Sequence, residues 1–362
     1  MPSPRPFVIP EPDPIPGVDP GAVLFDHYKR RFGIYQPLEF ADFVRNLKVT
    51  GHLVAGFMPA SSVNLLVGDS GVGKSALAYQ LALATAAGIP FLGMPTRKSK
   101  VVLVDYENSA VDSLWVLQQQ RKHLGLAASP DTLMIWPMQN CPDPNVNTAI
   151  VEKVTRQFAA DLVIYDSLRS FNPAMEHDNA TAVEQIKRLR VMTTRHGTAA
   201  VLVHHVRKLG VRDRTPLEEG DVLEWLTRSA GARALVNQTD VRLAVARPAK
   251  AGAADLVLRG HCRIRGEIGP FLLTRKWDDS GEPAGYDRLE ATAAMLENTD
   301  QEAAFGRLPE SFTFKEARGI YGRDCPASAM FLHKLMRLGL LRKVARGQYR
   351  KIETGTRVSV AA

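Results

Sequence analysis

The sequence predicts an α/β protein with a mostly parallel, doubly wound sheet, an antiparallel extension of that sheet, and a small C-terminal unit of two helices and a hairpin. Three observations predict it. Apolar strand-like runs alternate with helical stretches from about residue 60 to 205. Runs such as Leu162-Val163-Ile164 have no polar face, which suits a parallel sheet covered on both sides. After residue 240 strand-like runs follow one another with no helix between them, and beyond residue 290 the pattern becomes helical and basic.

Residues 1–22 are Pro-rich and read as a flexible arm, and 23–60 as a lead-in segment to the first core strand. Strands are expected at Val63 to Val67, Val101 to Asp105, Leu133 to Trp136, Leu162 to Tyr165 and Ala200 to His204, and then at Val241 to Ala246, Asp255 to Leu258 and Phe271 to Thr274. Helices are expected at Ser75 to Ala87, Ser109 to Leu124, Thr148 to Phe158 and Ala180 to Arg195. The main domain is therefore drawn at 23–278. The turn-rich stretch that begins at Asp278 marks a boundary, with 279–289 as linker, 290–353 as the C-terminal domain and 354–362 as a tail.

Between the first strand and its helix lies Gly68-Asp69-Ser70-Gly71-Val72-Gly73-Lys74-Ser75, a complete G-x-x-x-x-G-K-[ST] phosphate-binding loop. Its glycines let backbone N–H groups curl around phosphate oxygens at a helix N-terminus. Lys74 is expected to reach the β- and γ-phosphates of ATP, and Ser75 to hold Mg²⁺. Asp166 ends an apolar strand and is the expected second Mg²⁺-side residue. Because Ser167 rather than a glutamate follows it, the carboxylate that activates water must come from elsewhere. Glu107, just past Val101 to Asp105, is the candidate general base, with Asp105 as its rival. In Ala200 to His204-His205 neighbouring side chains face opposite ways, so one histidine faces the nucleotide and the other the interior. His205 is the candidate γ-phosphate sensor.

The chain carries a net charge of +8, and its distribution is uneven. From Gly306 to Lys351 eleven Lys and Arg face three acids, leaving the remainder formally neutral. A basic terminal module points to a polyanion, most simply nucleic acid. Thr313-x-x-Glu316 is a capping box opening a short helix. A second helix is expected over Pro326 to Leu338, then two strands turning at Arg346-Gly347. No apolar run approaches a membrane span, and no signal-peptide core is evident, so a cytoplasmic location is expected. Cys141, Cys262 and Cys325 have no metal-ligand spacing.

The phosphate loop, Glu107, Asp166, His204-His205 and Arg228-Ser229-Ala230-Gly231-Ala232-Arg233-Ala234-Leu235, in that order, resemble the RecA-like P-loop ATPases of the plasmid hexameric replicative helicase (RepA-type) subgroup, over roughly Gly51 to Arg275. The last stretch departs from the subgroup, with Ala230 at its arginine position and Ala232 and Arg233 at its two serines. The resemblance implies a homo-oligomer, in all expectation a hexamer, that hydrolyses ATP between subunits and moves on DNA during replication of a plasmid or other mobile element. The alternative within the same fold is a non-translocating ATPase switch that controls DNA binding or oligomerisation. Arg263, in a loose match to a Gly-acid-x-Gly turn, is the expected arginine supplied in trans, with Arg265 second. Loops at Arg169 to Asn179 and Arg207 to Arg228 are expected to line a channel for single-stranded DNA, the latter through Lys208, Arg212 and Arg214. The C-terminal unit resembles a winged helix-turn-helix. That module docks on duplex DNA or on protein, and here DNA contact falls to Lys334, Arg337, Arg342, Lys343, Arg346 and Arg350.

Overall fold

The structure is a computed structural model. It describes residues 13, 16–17, 19–32, 34, 36–46, 51–143, 146, 148–206, 216–217, 221–229, 233–248, 254–289, 299–337, 340–345 and 347–352. The chain divides into two compact units, Met1–Thr50 and Gly51–Ala362. The first contains α1 (Pro20–Phe32) and α2 (Pro37–Asn46), so the lead-in segment is helical from Pro20. Most of the expected arm lies outside the described residues.

The second unit opens on a short pair of strands, β1 (His52–Val54) and β2 (Met58–Pro59). It then builds a nine-stranded sheet in the order β11-β10-β9-β8-β3-β7-β6-β4-β5. The strands are β3 (Val63–Gly68), β4 (Val101–Asp105), β5 (Leu133–Pro137), β6 (Leu162–Asp166), β7 (Ala199–His205), β8 (Val241–Ala246), β9 (Leu256–Cys262), β10 (Gly266–Trp277) and β11 (Pro283–Arg288). Strands β5, β4, β6, β7, β3 and β8 run parallel. Strands β9, β10 and β11 add on antiparallel.

The apolar strands divide their side chains between two cores, as period-2 geometry requires. Leu66, Leu103, Ile164 and Val201 face one layer, and Leu65, Val104, Val163 and Leu202 the other. On the first face lie α3 (Lys74–Ala87) and α4 (Ala110–His123). On the second lie α5 (Thr148–Phe158), the short α6 (Leu168–Phe171), α7 (Asn179–His196), α8 (Val222–Ser229) and α9 (Arg233–Gln238). Helix α3 is apolar nearly all round because it is also covered on its outer side: Gln80 holds the Tyr286 backbone of β11 through two hydrogen bonds, of 2.7 and 2.9 Å.

That contact corrects the domain boundary. The stretch read as a break is the turn of the β10–β11 hairpin, closed by Asp278 Oδ1 accepting from the Ser280 and Glu282 N–H groups. Residues 283–288 of the expected linker form the sheet's edge strand. Turn and linker share the same Asp, Ser and Gly composition, so composition alone could not separate them. The expected loop from Arg169 to Asn179 is also largely structured. It holds part of α6 and a 3₁₀ turn, Pro173–Glu176, with Met175 buried. In the second expected loop, Val222 to Arg228 belong to α8, whose Val222 and Leu226 are buried.

The C-terminal residues form α10 (Thr299–Arg307), β12 (Ser311–Thr313), α11 (Phe314–Tyr321), α12 (Cys325–Arg337), β13 (Leu341–Ala345) and β14 (Gln348–Lys351). The strands pair as β12-β14-β13 around a separate apolar core of Phe312, Phe331, Leu332, Leu335 and Tyr349. Both halves of the Thr313–Glu316 capping box are formed. Helix α10 and strand β12 were not anticipated.

Candidate functional site

Strands β3, β4, β6 and β7 run parallel, so their C-terminal ends share one edge of the sheet, and each delivers one residue of the phosphate site there. From β3 the chain enters the loop Asp69–Gly73, with Gly71 at φ 70° and Gly73 at φ 106°, left-handed conformations open to glycine. At Gly68 a Cβ would lie 2.6 Å from the Val245 carbonyl of β8, and at Gly73 one would lie 2.1 Å from the Tyr286 hydroxyl. The protein's own packing therefore leaves no room for a side chain at Gly68 or Gly73.

Lys74 opens α3 and is 3 % exposed. Its ammonium donates to the Asp69 carbonyl at 2.7 Å and meets His205 Nδ1 at 3.0 Å. An ammonium has only protons to offer, so Nδ1 accepts and the ring carries its hydrogen on Nε2. Nε2 in turn lies 3.1 Å from Glu107 Oε1. Lys74, His205 and Glu107 thus form one continuous chain of hydrogen bonds. Burial lowers the Lys74 pKa, with Asp166, Glu107 and Asp69 opposing the shift. The His205 hydrogen bond holds Glu107 down at about 2 against its burial, with the Lys74 charge assisting.

Asp166 ends β6 and is 1 % exposed, and among the described residues neither carboxylate oxygen has a hydrogen-bond partner of good geometry. Burial pushes its pKa up to about 7; the Ser75 hydroxyl and Lys74 oppose this, while Asp105 and Glu107 reinforce it. A buried, unpartnered carboxylate is costly unless something cationic satisfies it. Hard oxygen donors beside a phosphate cradle suit Mg²⁺, which takes one or two protein oxygens along with phosphates and water. Ser75 and Asp166 fit that ion.

Asp105, the rival base, is occupied. Its Oδ1 accepts from the Glu107 and Asn108 N–H groups, and its Oδ2 accepts from Tyr79, Asn108 and Ser113 side chains at 2.8, 2.8 and 3.2 Å. It shapes the turn that aims Glu107. The other histidine, His204, is 2 % exposed and packs inward, its Nδ1 lying 3.5 Å from Glu176 Oε1. The sequence reading missed Tyr286, whose ring seals Gly73 and whose hydroxyl accepts from Arg275 at 2.8 Å. The run Tyr286-Asp287-Arg288-Leu289 after the turn was the available signal.

The structure does not bring every expected residue here. Arg263 and Arg265 lie in the β9–β10 turn, at the edge of the sheet opposite the phosphate loop, because Cys262 pairs with Val241 at the start of β8. Arg263 donates to the Asn237 carbonyl at 2.6 Å. Lys208, Arg212, Arg214 and Arg346 lie outside the described residues, as does the side chain of Arg337. Arg342 and Lys343 are exposed on β13, and Arg350, paired with Arg342 across the strands, donates to Ser311 Oγ at 3.1 Å. Lys334 is half-buried against Gln301 Oε1 at 3.1 Å rather than freely displayed. No helix among the described residues is long and apolar enough to cross a membrane.

No curated protein sequence matches the chain. Among solved structures, a KaiC-like protein from the hyperthermophilic archaeon Pyrococcus horikoshii is similar at 15% identity and a TM-score of 0.41, over 66% of this chain and 93% of that one. The family model described as AAA domain matches residues 29–211, just over half of the chain. That span takes in the phosphate loop, Glu107, Asp166 and His205, and the chain belongs to the AAA domain family of P-loop ATPases.

Proposed function

We propose that the protein is a Mg²⁺-dependent ATPase that assembles head to tail into a ring, completes each ATP site with a neighbour's arginine, and uses hydrolysis to move on or unwind DNA in replication of a mobile element or plasmid. The observation that carries the ATPase chemistry is the chain from Lys74 through His205 to Glu107 above the buried, unpartnered Asp166. Loop N–H groups and Lys74 bind and orient the phosphates. Glu107, ionised by its His205 contact, takes the proton of the attacking water. Ser75 and Asp166 hold Mg²⁺, which when bound neutralises charge developing on the β- and γ-phosphates.

The DNA-directed part of the proposal rests on the basic C-terminal module. Its order of helix, strand, two helices and hairpin supports a winged-helix reading, and Arg342, Lys343 and Arg350 gather on the hairpin. Like charges placed directly opposite, as Arg342 and Arg350 are, repel each other and favour an anionic partner. Strand separation on a forked DNA tests the proposal, with Lys74→Ala as control. ATP hydrolysis without ATP-dependent separation of strands would replace the helicase with a switch that only controls DNA binding or oligomerisation.

A further inference from the structure

We propose that the β10–β11 hairpin is the base platform of the nucleotide site, with the Trp277 indole stacking on the nucleobase, and that its substrates are purine nucleoside triphosphates, ATP and GTP alike. This rests on the ATPase reading above and names the substrate class that the phosphate loop leaves open. Strand β8 runs parallel to β3, and β9 and β10 each reverse direction, so β10 ends at the edge of the sheet where the phosphate loop lies. Trp277 is its last residue and is 57% exposed there. An indole held half in water gains when a flat apolar partner covers it.

Period-2 geometry gives the hairpin two faces. On one, Asp287 meets His123 of α4 at 3.1 Å and Lys276 at 3.4 Å. Arg275, Trp277 and Tyr286 share the other, Arg275 and Tyr286 being partners across the strands. On this face the Tyr286 hydroxyl reaches Gly73, the last glycine of the phosphate loop. Arg275 donates to that hydroxyl at 2.8 Å, and its guanidinium lies 5.5 Å from the centre of the Tyr286 ring and 5.7 Å from that of Trp277. A continuous row therefore runs from Gly73 through Tyr286 and Arg275 to Trp277, which stands two positions, about 7 Å along the strand, beyond Arg275. A triphosphate held by the loop carries its base outward, and Trp277 is the exposed ring of this row. Every base has a π-face, so stacking by itself does not choose among them; choice needs hydrogen bonds to base edges. The polar side chains that flank Trp277 in sequence are engaged elsewhere, Arg275 with the Tyr286 hydroxyl, Lys276 with Asp287, and Asp278 with the Ser280 and Glu282 N–H groups. A purine covers more of the indole than a pyrimidine does, which favours ATP and GTP over their pyrimidine counterparts.

The test is the equilibrium affinity of the full chain for the Mg²⁺ complexes of ATP, GTP and inorganic triphosphate, measured for wild type, Trp277→Ala and Trp277→Phe. Wild type is expected to bind ATP and GTP within about threefold of each other, since both offer a purine face. Trp277→Ala should weaken both by about tenfold, the loss of one base stack, yet bind inorganic triphosphate as wild type does. Trp277→Phe keeps a ring and should recover most of the affinity. Unchanged ATP affinity in Trp277→Ala removes the platform, and an equal loss for inorganic triphosphate reduces Trp277 to a support of the loop. A preference for ATP over GTP above about tenfold means that a base edge is read, and overturns the substrate class. The ATPase reading fails by a different result, Lys74→Ala binding both ATP and inorganic triphosphate as tightly as wild type.

Discussion

His205 Nδ1 lies 3.0 Å from Lys74 Nζ, and that contact decides what each end of the site does. It commits the histidine's remaining N–H to Glu107 and so keeps the carboxylate ionised beside the phosphate loop. Breaking either end of this chain should produce a different defect.

Glu107→Gln should bind ATP with near wild-type affinity and lose about 10² to 10⁴ in turnover, since the shape and the His205 contact survive while the base does not. Equilibrium binding and steady-state hydrolysis measured side by side separate the two effects. Asp105→Ala should instead destabilise the fold by about 3 kcal/mol, because buried donors from Tyr79, Ser113 and Asn108 lose their acceptor. If Asp105→Ala melts like wild type, Asp105 is free to be the base and Glu107 is not required.

The pH dependence follows from Glu107. Its carboxyl is held at about 2 in the folded protein against an ordinary 4.5, so the stability it contributes is fully present above 4.5 and is lost as pH falls toward 2. The difference in Tm between wild type and Glu107→Gln should be flat from pH 7 to about 4.5 and shrink below that. A gap that widens on acidification would mean that His205 does not hold the ionised form.

Much of this site was legible in the sequence because its parts are contiguous. The loop Gly68 to Ser75 is a single motif, and Glu107, Asp166 and His205 each close an apolar run whose strand end is fixed by period and length. What escaped depends on distant pairing. Tyr286 reaches Gly73 only because the sheet's edge hairpin folds over α3, and Asp105 differs from Glu107 only through partners on α3 and α4. The turn at Asp278 to Glu282 was mistaken for a linker for the same reason. Its hairpin pairing, Trp277 with Pro283, is a property of the folded sheet and not of the turn residues.

Gly73→Ala probes the missed contact. The new methyl would meet the Tyr286 hydroxyl at a backbone angle that disfavours side chains, so stability should fall by about 2 kcal/mol and ATP binding should weaken. Tyr286→Phe in the same chain should recover part of the stability by removing the oxygen in the way. Additive losses in a double-mutant cycle of Tm values would show that the two residues do not touch.

On the C-terminal hairpin, Arg342→Ala and Lys343→Ala in the full chain should weaken duplex DNA binding with little dependence on sequence. Each should reduce the steepness of log affinity against log salt by about 0.9 if its residue contacts one phosphate. Affinities from 50 to 200 mM salt supply the slope. An unchanged slope in both variants points to protein docking by this module.

The most direct measurement is Mg²⁺-ATP hydrolysis by the wild-type protein with and without single-stranded DNA, set beside Glu107→Gln. Turnover that rises on adding DNA in wild type, and is lost under both conditions in Glu107→Gln, is the predicted result. Turnover indifferent to DNA, or equal in the two proteins, would contradict a DNA-coupled ATPase built on Lys74, His205 and Glu107.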